Sequence, residues 1–389
     1  SIAAALVLGT TINRATRCQV PWLTQYLVAV LLPLNFPLVF RRLGAGMEMA
    51  LGLFLLSLAF WAWCSSDAQP RGHLFRLAQG ILLGVLILTR LDYAVLALVL
   101  AISIITRRHG RDPRNVAAVA LGCLLPLGGY AVVAHFCLDS LIPVSVLAKH
   151  HYASLLASTL PLDDRIYLAV RNFGLQWVYP LGYALYGFYW RWGAVGAAIA
   201  AVPAFIGAGM LLSAAKNTAT VLTGQWGFRW FVLAVVFHAL AFSWSAVGFV
   251  GSAFFWYYTP ELLLITIGII VPCALGTHSR VGLASMVGLG VSAVFVGSTL
   301  LYDAQRDIAS YAPYRRAIER TRDVTPPTAV IGSWDAGFNA YWLRPRRVVN
   351  LDGMVNSRKY LADVIGGRPV SEYLSSQRIE YLLNMVPDT

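Results

Sequence analysis

Residues 1–302 are a succession of apolar runs, most of them long enough to cross a bilayer, separated by short basic or Pro/Gly-rich loops. A hydrocarbon core of about 30 Å needs roughly 20 apolar residues per helix. The runs are the tail of one helix at 1–10, then 22–39, 48–64, 78–89, 92–106, 116–137, 193–214, 228–248, 255–275 and 281–302. They are too long and too evenly apolar to be barrel strands, so helices are the spanning structure expected. Only 12% of the residues are charged and 58% are hydrophobic, which excludes a soluble globule.

Two of these runs are short. Residues 78–89 and 92–106 flank Thr89-Arg90-Leu91-Asp92, and charges at mid-bilayer cost several kcal/mol. One tilted helix with a buried Arg/Asp pair satisfies this, and so does a hairpin of two short helices that brings the pair to a membrane surface. Counting basic residues favours the hairpin, because it places the loops at 11–21, 65–77, 107–115, 215–227 and 276–280 on one side. By the positive-inside rule that side is cytoplasmic. The opposite side then holds Arg41 to Glu48, the 89–92 turn, the long segment 138–192, the aromatic run at 256–260 and the whole tail. Within 138–192, residues 165–190 read as interfacial or re-entrant helices, anchored at headgroup level by Trp177, Tyr179, Tyr183, Tyr186, Tyr189 and Trp190.

The net charge of +12 does not point to nucleic acid, since the Lys and Arg residues lie in short loops and in the tail rather than in one dense stripe. The five cysteines lack metal-ligand spacing and read as small buried hydrophobes. The tail changes character. An amphipathic piece at 303–322 and Pro326-Pro327 lead into β runs at 329–331, 348–351 and 379–385, with helices starting near 334–337 and lying around 357–365 and 369–377. Alternating β and α elements argue for a small α/β layer with parallel strands. The expected architecture is therefore an α-helical multi-span membrane domain at 1–302 followed by a small α/β domain at 303–389.

Few residues carry chemistry. Glu48, at the mouth of an apolar helix, is either an acid favoured by the helix dipole or a carboxylate for a divalent cation or sugar hydroxyl. Arg90 and Asp92 either neutralise each other or offer a guanidinium fork to a phosphate. Arg41, with Arg42, departs from the positive-inside trend and fits a lipid phosphate or ordinary headgroup contact. Lys149 is a mobile point charge suited to phosphate, and His150 or His151 is either a proton shuttle or a solvated loop residue. Tyr257 and Tyr258 form an interface belt with Trp256, while Glu261, one turn into a span, needs a cavity or a partner. Asp335 and Asp352 are explained by turn chemistry.

The order of these segments is informative. Gly46-Met47-Glu48, Gly84 through Asp92, Pro143-Val144-Ser145 with Lys149, Trp256 through Pro260, Gly332 through Gly337 and Val349 through Gly353 together resemble the bacterial GT-C glycosyltransferases. That superfamily includes protein O-mannosyltransferases, lipid A aminoarabinose transferases and mycobacterial arabinofuranosyltransferases. The resemblance implies an inverting membrane enzyme that moves a sugar from a polyprenyl-phosphate donor to an envelope glycan, lipid or protein acceptor. The reaction would take place on the outer face of the bacterial plasma membrane. It also implies an Asp general base in a first outer loop, expected upstream of Ser1, and a divalent cation (Mg, Mn or Ca) with no organic cofactor. On this reading Arg90, Lys149 and Arg41 face the donor phosphate, Glu48 and Asp92 the acceptor or metal, and Tyr257, Tyr258, Glu261 and His150 line the donor path. A transporter or flippase of lipid-linked sugars and a non-catalytic scaffold are the competing classes.

Overall fold

A computed structural model describes residues 49–65, 72–107, 112–137, 158–177, 226–245, 312–333, 336–351 and 367–383, together with a few isolated positions and the short stretch around Thr259–Ile267. Its helices are α1 (Met49–Ser65), α2 (His73–Thr89), α3 (Tyr93–Thr106), α4 (Pro113–Cys137), α5 (162–177) and α6 (Trp226–Ser245). They are followed by α7 (Ala312–Val324), β1 (Val330–Ser333), α8 (Ala336–Trp342), β2 (Arg347–Asn350), α9 (Val370–Ser376) and β3 (Tyr381–Leu383). The fold is mostly helical with one small parallel sheet. Chain contacts divide it into two compact units, one of residues 1–130 with 161–300 and the other of 131–160 with 301–389.

Helix α4, which runs across the boundary between the units at residue 130, and α6 are long and apolar enough to cross a membrane, while α1, α2 and α3 are shorter apolar helices. Along α4, Leu121, Leu124, Leu125, Val132, Val133 and Phe136 are exposed, a distribution expected of a helix that faces acyl chains. The core forms where α1, α3 and α6 meet. Phe60 of α1 packs on Phe231 of α6 with ring centroids 5.1 Å apart. The Trp63 indole N–H reaches the Ser103 hydroxyl of α3 at 2.7 Å and the Leu100 carbonyl at 3.2 Å, so a bulky aromatic is buried with its polar atom satisfied.

Small residues let backbones touch. A Cβ added to Gly80 or Gly84 of α2 would lie 2.2 Å from the Val119 carbonyl oxygen or 2.5 Å from that of Cys123, both on α4. A Cβ on Gly122 of α4 would lie 2.2 Å from the Leu77 carbonyl oxygen. Gly80 and Gly84 are four apart on one helix face, the spacing that allows close helix approach in membranes. Gly227, at the start of α6, makes a similar approach to Trp63.

Two sequence expectations are adjusted here. The helix expected from 78 begins at His73, because Arg76 is buried between helices rather than ending the span in a loop. Of the interfacial stretch expected at 165–190, residues 162–177 form α5, which starts directly after Pro161, and the remainder lies outside the described residues. The two short helices around residue 90 are separate elements joined by a turn, as the cost of burying charge in a continuous span requires.

In the second unit the strand order is β2-β1-β3, all parallel, with Ile331 opposite Val348 and Tyr381. Ile318, Ala329, Ile331 and Leu343 make one small core, and Val349, Leu351 and Tyr373 make another. Amphipathic α7 turns Ile318 inward and leaves Arg315, Arg316 and Arg320 exposed. Arg346 ties the end of α7 to the chain before β2, donating to the Thr325 hydroxyl at 2.7 Å and the Arg322 carbonyl at 2.7 Å.

Candidate functional site

The α2–α3 turn builds the site. The Thr89 hydroxyl bonds back to the Val85 carbonyl at 2.8 Å, and Arg90 leaves the helix in an extended conformation while its N–H still reaches the Leu86 carbonyl. Tyr93 and Ala94 then donate to the Arg90 and Leu91 carbonyls at 3.0 Å, which starts α3. This tight turn folds the Arg90 side chain over Asp92. The guanidinium grips the carboxylate with both arms, Nε to Oδ1 at 3.1 Å and Nη2 to Oδ2 at 3.2 Å, and lies 5.4 Å from the Tyr93 ring centre.

Helix α6 supplies the next member. His238 is fully buried, and its Nε2 meets Asp92 Oδ2 at 3.2 Å. Its Nδ1 meets Glu261 Oε1 at 2.9 Å. Tyr93 packs edge-on against the imidazole, and Phe242 stacks on it at an interplanar angle of 10°. Arg90, Asp92, His238 and Glu261 thus form one polar chain inside an apolar helical unit.

A count of protons constrains this chain. Both ring nitrogens face carboxylate oxygens, yet a neutral imidazole donates only once. The cluster therefore carries a proton on each ring nitrogen, or one on a carboxyl group. With both ring nitrogens protonated, two cations balance two anions and the assembly is neutral, the condition under which buried charges are tolerated. Glu261 Oε2 is buried and has no hydrogen-bond partner among the described residues.

Asp92 lies in the turn, outside both helices. Burial alone would raise its carboxyl pKa, but the hydrogen bond from His238 and the Arg90 charge outweigh burial and hold it below the usual carboxylate range. A carboxylate of depressed pKa contributes stability above its unfolded value, about 3.9, that is lost as pH falls through the folded value. Thermal unfolding of the detergent-solubilised protein should therefore vary little through Asp92 down to about pH 4 and weaken below it. Asp92→Asn should flatten that acid limb.

The structure brings three of the sequence candidates together: Arg90, Asp92 and Glu261. Of the two readings of Arg90 and Asp92, mutual neutralisation is the contact observed. Arg41, Glu48, Lys149, His150, Tyr257 and Tyr258 lie outside the described residues, while His151 is helical. His238 was not among the sequence candidates. The signal for it was an ionisable residue in the middle of an apolar 20-residue run.

A divalent cation does not fit this cluster. The imidazole stands between the two carboxylates with both nitrogens engaged, so no three ligands converge, and no group of three such side chains suited to a metal occurs among the described residues. No family model matches the chain, and no curated protein or solved structure does either.

Proposed function

We propose that the chain is a multi-span membrane glycosyltransferase that moves a sugar from a polyprenyl-phosphate donor to an acceptor on the extracytoplasmic face. The observation that carries this reading is the buried chain Arg90–Asp92–His238–Glu261. Ionisable groups are costly within a membrane protein and are retained where they act. The order of short segments shared with GT-C glycosyltransferases supports the same class, and the basic loops support placing the 89–92 turn and the α/β unit outside.

On this reading the Arg90 guanidinium, fixed by Asp92, faces the donor phosphate. As the bond from the anomeric carbon to the phosphate oxygen breaks, negative charge develops on that oxygen, and a guanidinium fixed in advance stabilises it. Asp92 sets the direction of the guanidinium, and His238 with Glu261 holds Asp92 in place. Lys149, Arg41 and His150 would add to the phosphate side, and Tyr257 and Tyr258 would line the donor path. The acceptor hydroxyl attacks from the opposite face and inverts the anomeric centre. Its proton passes to a carboxylate acting as general base, with Glu48 on the acceptor side.

The test is incubation of the full-length protein with polyprenyl-phosphoryl sugars carrying labelled mannose or arabinose and an envelope extract as acceptor. Wild type should form a glycosidic product, and Arg90→Ala should lower turnover by about 10²-fold or more. The same buried proton chain also suits a proton-coupled flippase of lipid-linked sugars. Movement of labelled lipid across proteoliposomes with no glycosidic bond formed would establish that reading instead.

A further inference from the structure

At the other end of α2 from the cluster lies a buried cation that no carboxylate pairs among the described residues. Arg76, in the first turn of α2, is only 3% exposed. It donates from Nη1 to the Gln79 side-chain oxygen at 2.7 Å. Its Nε has no partner, and no carboxylate pairs with it, among the described residues. Buried charges are ordinarily paired, since an isolated one costs several kcal/mol.

The surroundings add positive potential. The N-cap of α2 is Gly72, which makes no side-chain cap hydrogen bond, so the first turn that carries Arg76 keeps the positive end of a 17-residue helix dipole. Gln79 donates to the Ala62 carbonyl near the C-terminal end of α1 at 3.4 Å. Arg107 lies directly after α3. His73 is turned towards Asn115 of α4, 2.9 Å away, and Asp112 accepts the Arg114 N–H at 3.0 Å. The terminal carbonyls of α1 offset part of this charge. They supply no negative unit charge, however.

We infer that Arg76, Gln79 and the N-terminal turn of α2 form a binding site for a phosphate group. The guanidinium fork matches two phosphate oxygens, and helix N-terminal N–H groups accept the same anion. The phosphate comes either from an anionic phospholipid headgroup, for which basic pockets between membrane helices are suited, or from a soluble phosphate compound. The inference is independent of the sugar-transfer reading, because it concerns binding at a different set of residues.

The experiment compares purified full-length wild type with Arg76→Gln in detergent, by native mass spectrometry with phosphatidylglycerol and phosphatidylcholine and by thermal unfolding with and without inorganic phosphate. Wild type should retain one phosphatidylglycerol at least about tenfold more strongly than Arg76→Gln, and more strongly than it retains phosphatidylcholine, because one charged fork contributes on that scale. Stabilisation of wild type alone by inorganic phosphate, with no lipid preference, would support the site and assign it to a soluble phosphate. If Arg76→Gln does not fold, Arg76→Lys carries the comparison, since it keeps the charge and removes the fork. Equal lipid retention and equal response to phosphate in wild type and variant would overturn the inference. So would an Arg76→Met protein of higher melting temperature that retains phosphatidylglycerol as wild type does.

Discussion

Replacing His238 by phenylalanine is expected to destabilise the protein by about 3–5 kcal/mol, the loss typical when one partner of a buried ionic group is removed. The size similarity preserves packing against Tyr93 and Phe242. What is lost is the link between Asp92 and Glu261. Asp92 keeps its two bonds from Arg90, so the uncompensated group is Glu261, which is fully buried. Adding Glu261→Leu to His238→Phe should therefore recover most of the loss, because an ion pair replaced as a unit by apolar residues is close to neutral. Equilibrium unfolding in detergent measures both. A loss under about 1 kcal/mol for His238→Phe, or no recovery in the double variant, would show that the contacts are not energetically coupled.

Gly80→Leu should be the second severe change. Even a methyl group at this position meets the Val119 carbonyl oxygen at 2.2 Å, and backbone cannot swing aside as a side chain does. Overpacking of this kind costs about 1–3 kcal/mol for a small addition and more for a leucine. Gly122→Ala presses on the Leu77 carbonyl across the same contact. The alanine pair should cost less together than the sum of the single changes, since one displacement of α2 from α4 relieves both. A Gly80→Leu protein within about 0.5 kcal/mol of wild type would mean that α2 and α4 do not pack through these glycines.

Both predictions rest on features that differ in how well they could be read beforehand. The helices follow from apolar runs of sufficient length, and the break between α2 and α3 follows from the cost of placing Arg90 and Asp92 inside a span. The small sheet follows from short β-branched runs alternating with helical ones. The start of α2 is not legible in the sequence, because Arg76 reads there as a loop charge whereas it is held among helices. His238 escaped notice because its meaning depends on Asp92, 146 positions away in the sequence, and single-residue chemistry does not reveal pairing between distant helices. Glu261 was flagged as an acid in need of a partner, but its own segment did not indicate which. Gly80 and Gly84 stand at a legible spacing, but within a uniformly apolar run that spacing does not say which helix they meet.

The account turns on Arg90, Asp92, His238 and Glu261 acting as one unit. Transfer of labelled sugar from a polyprenyl-phosphoryl donor should be measured for full-length wild type, Asp92→Asn, Glu261→Gln and the double variant. The account predicts measurable transfer by wild type, a loss of about tenfold or more in each single variant, and a double variant scarcely slower than the worse single one, as for residues that act together. Transfer that is unchanged in the single variants, or losses that multiply in the double variant, would contradict it.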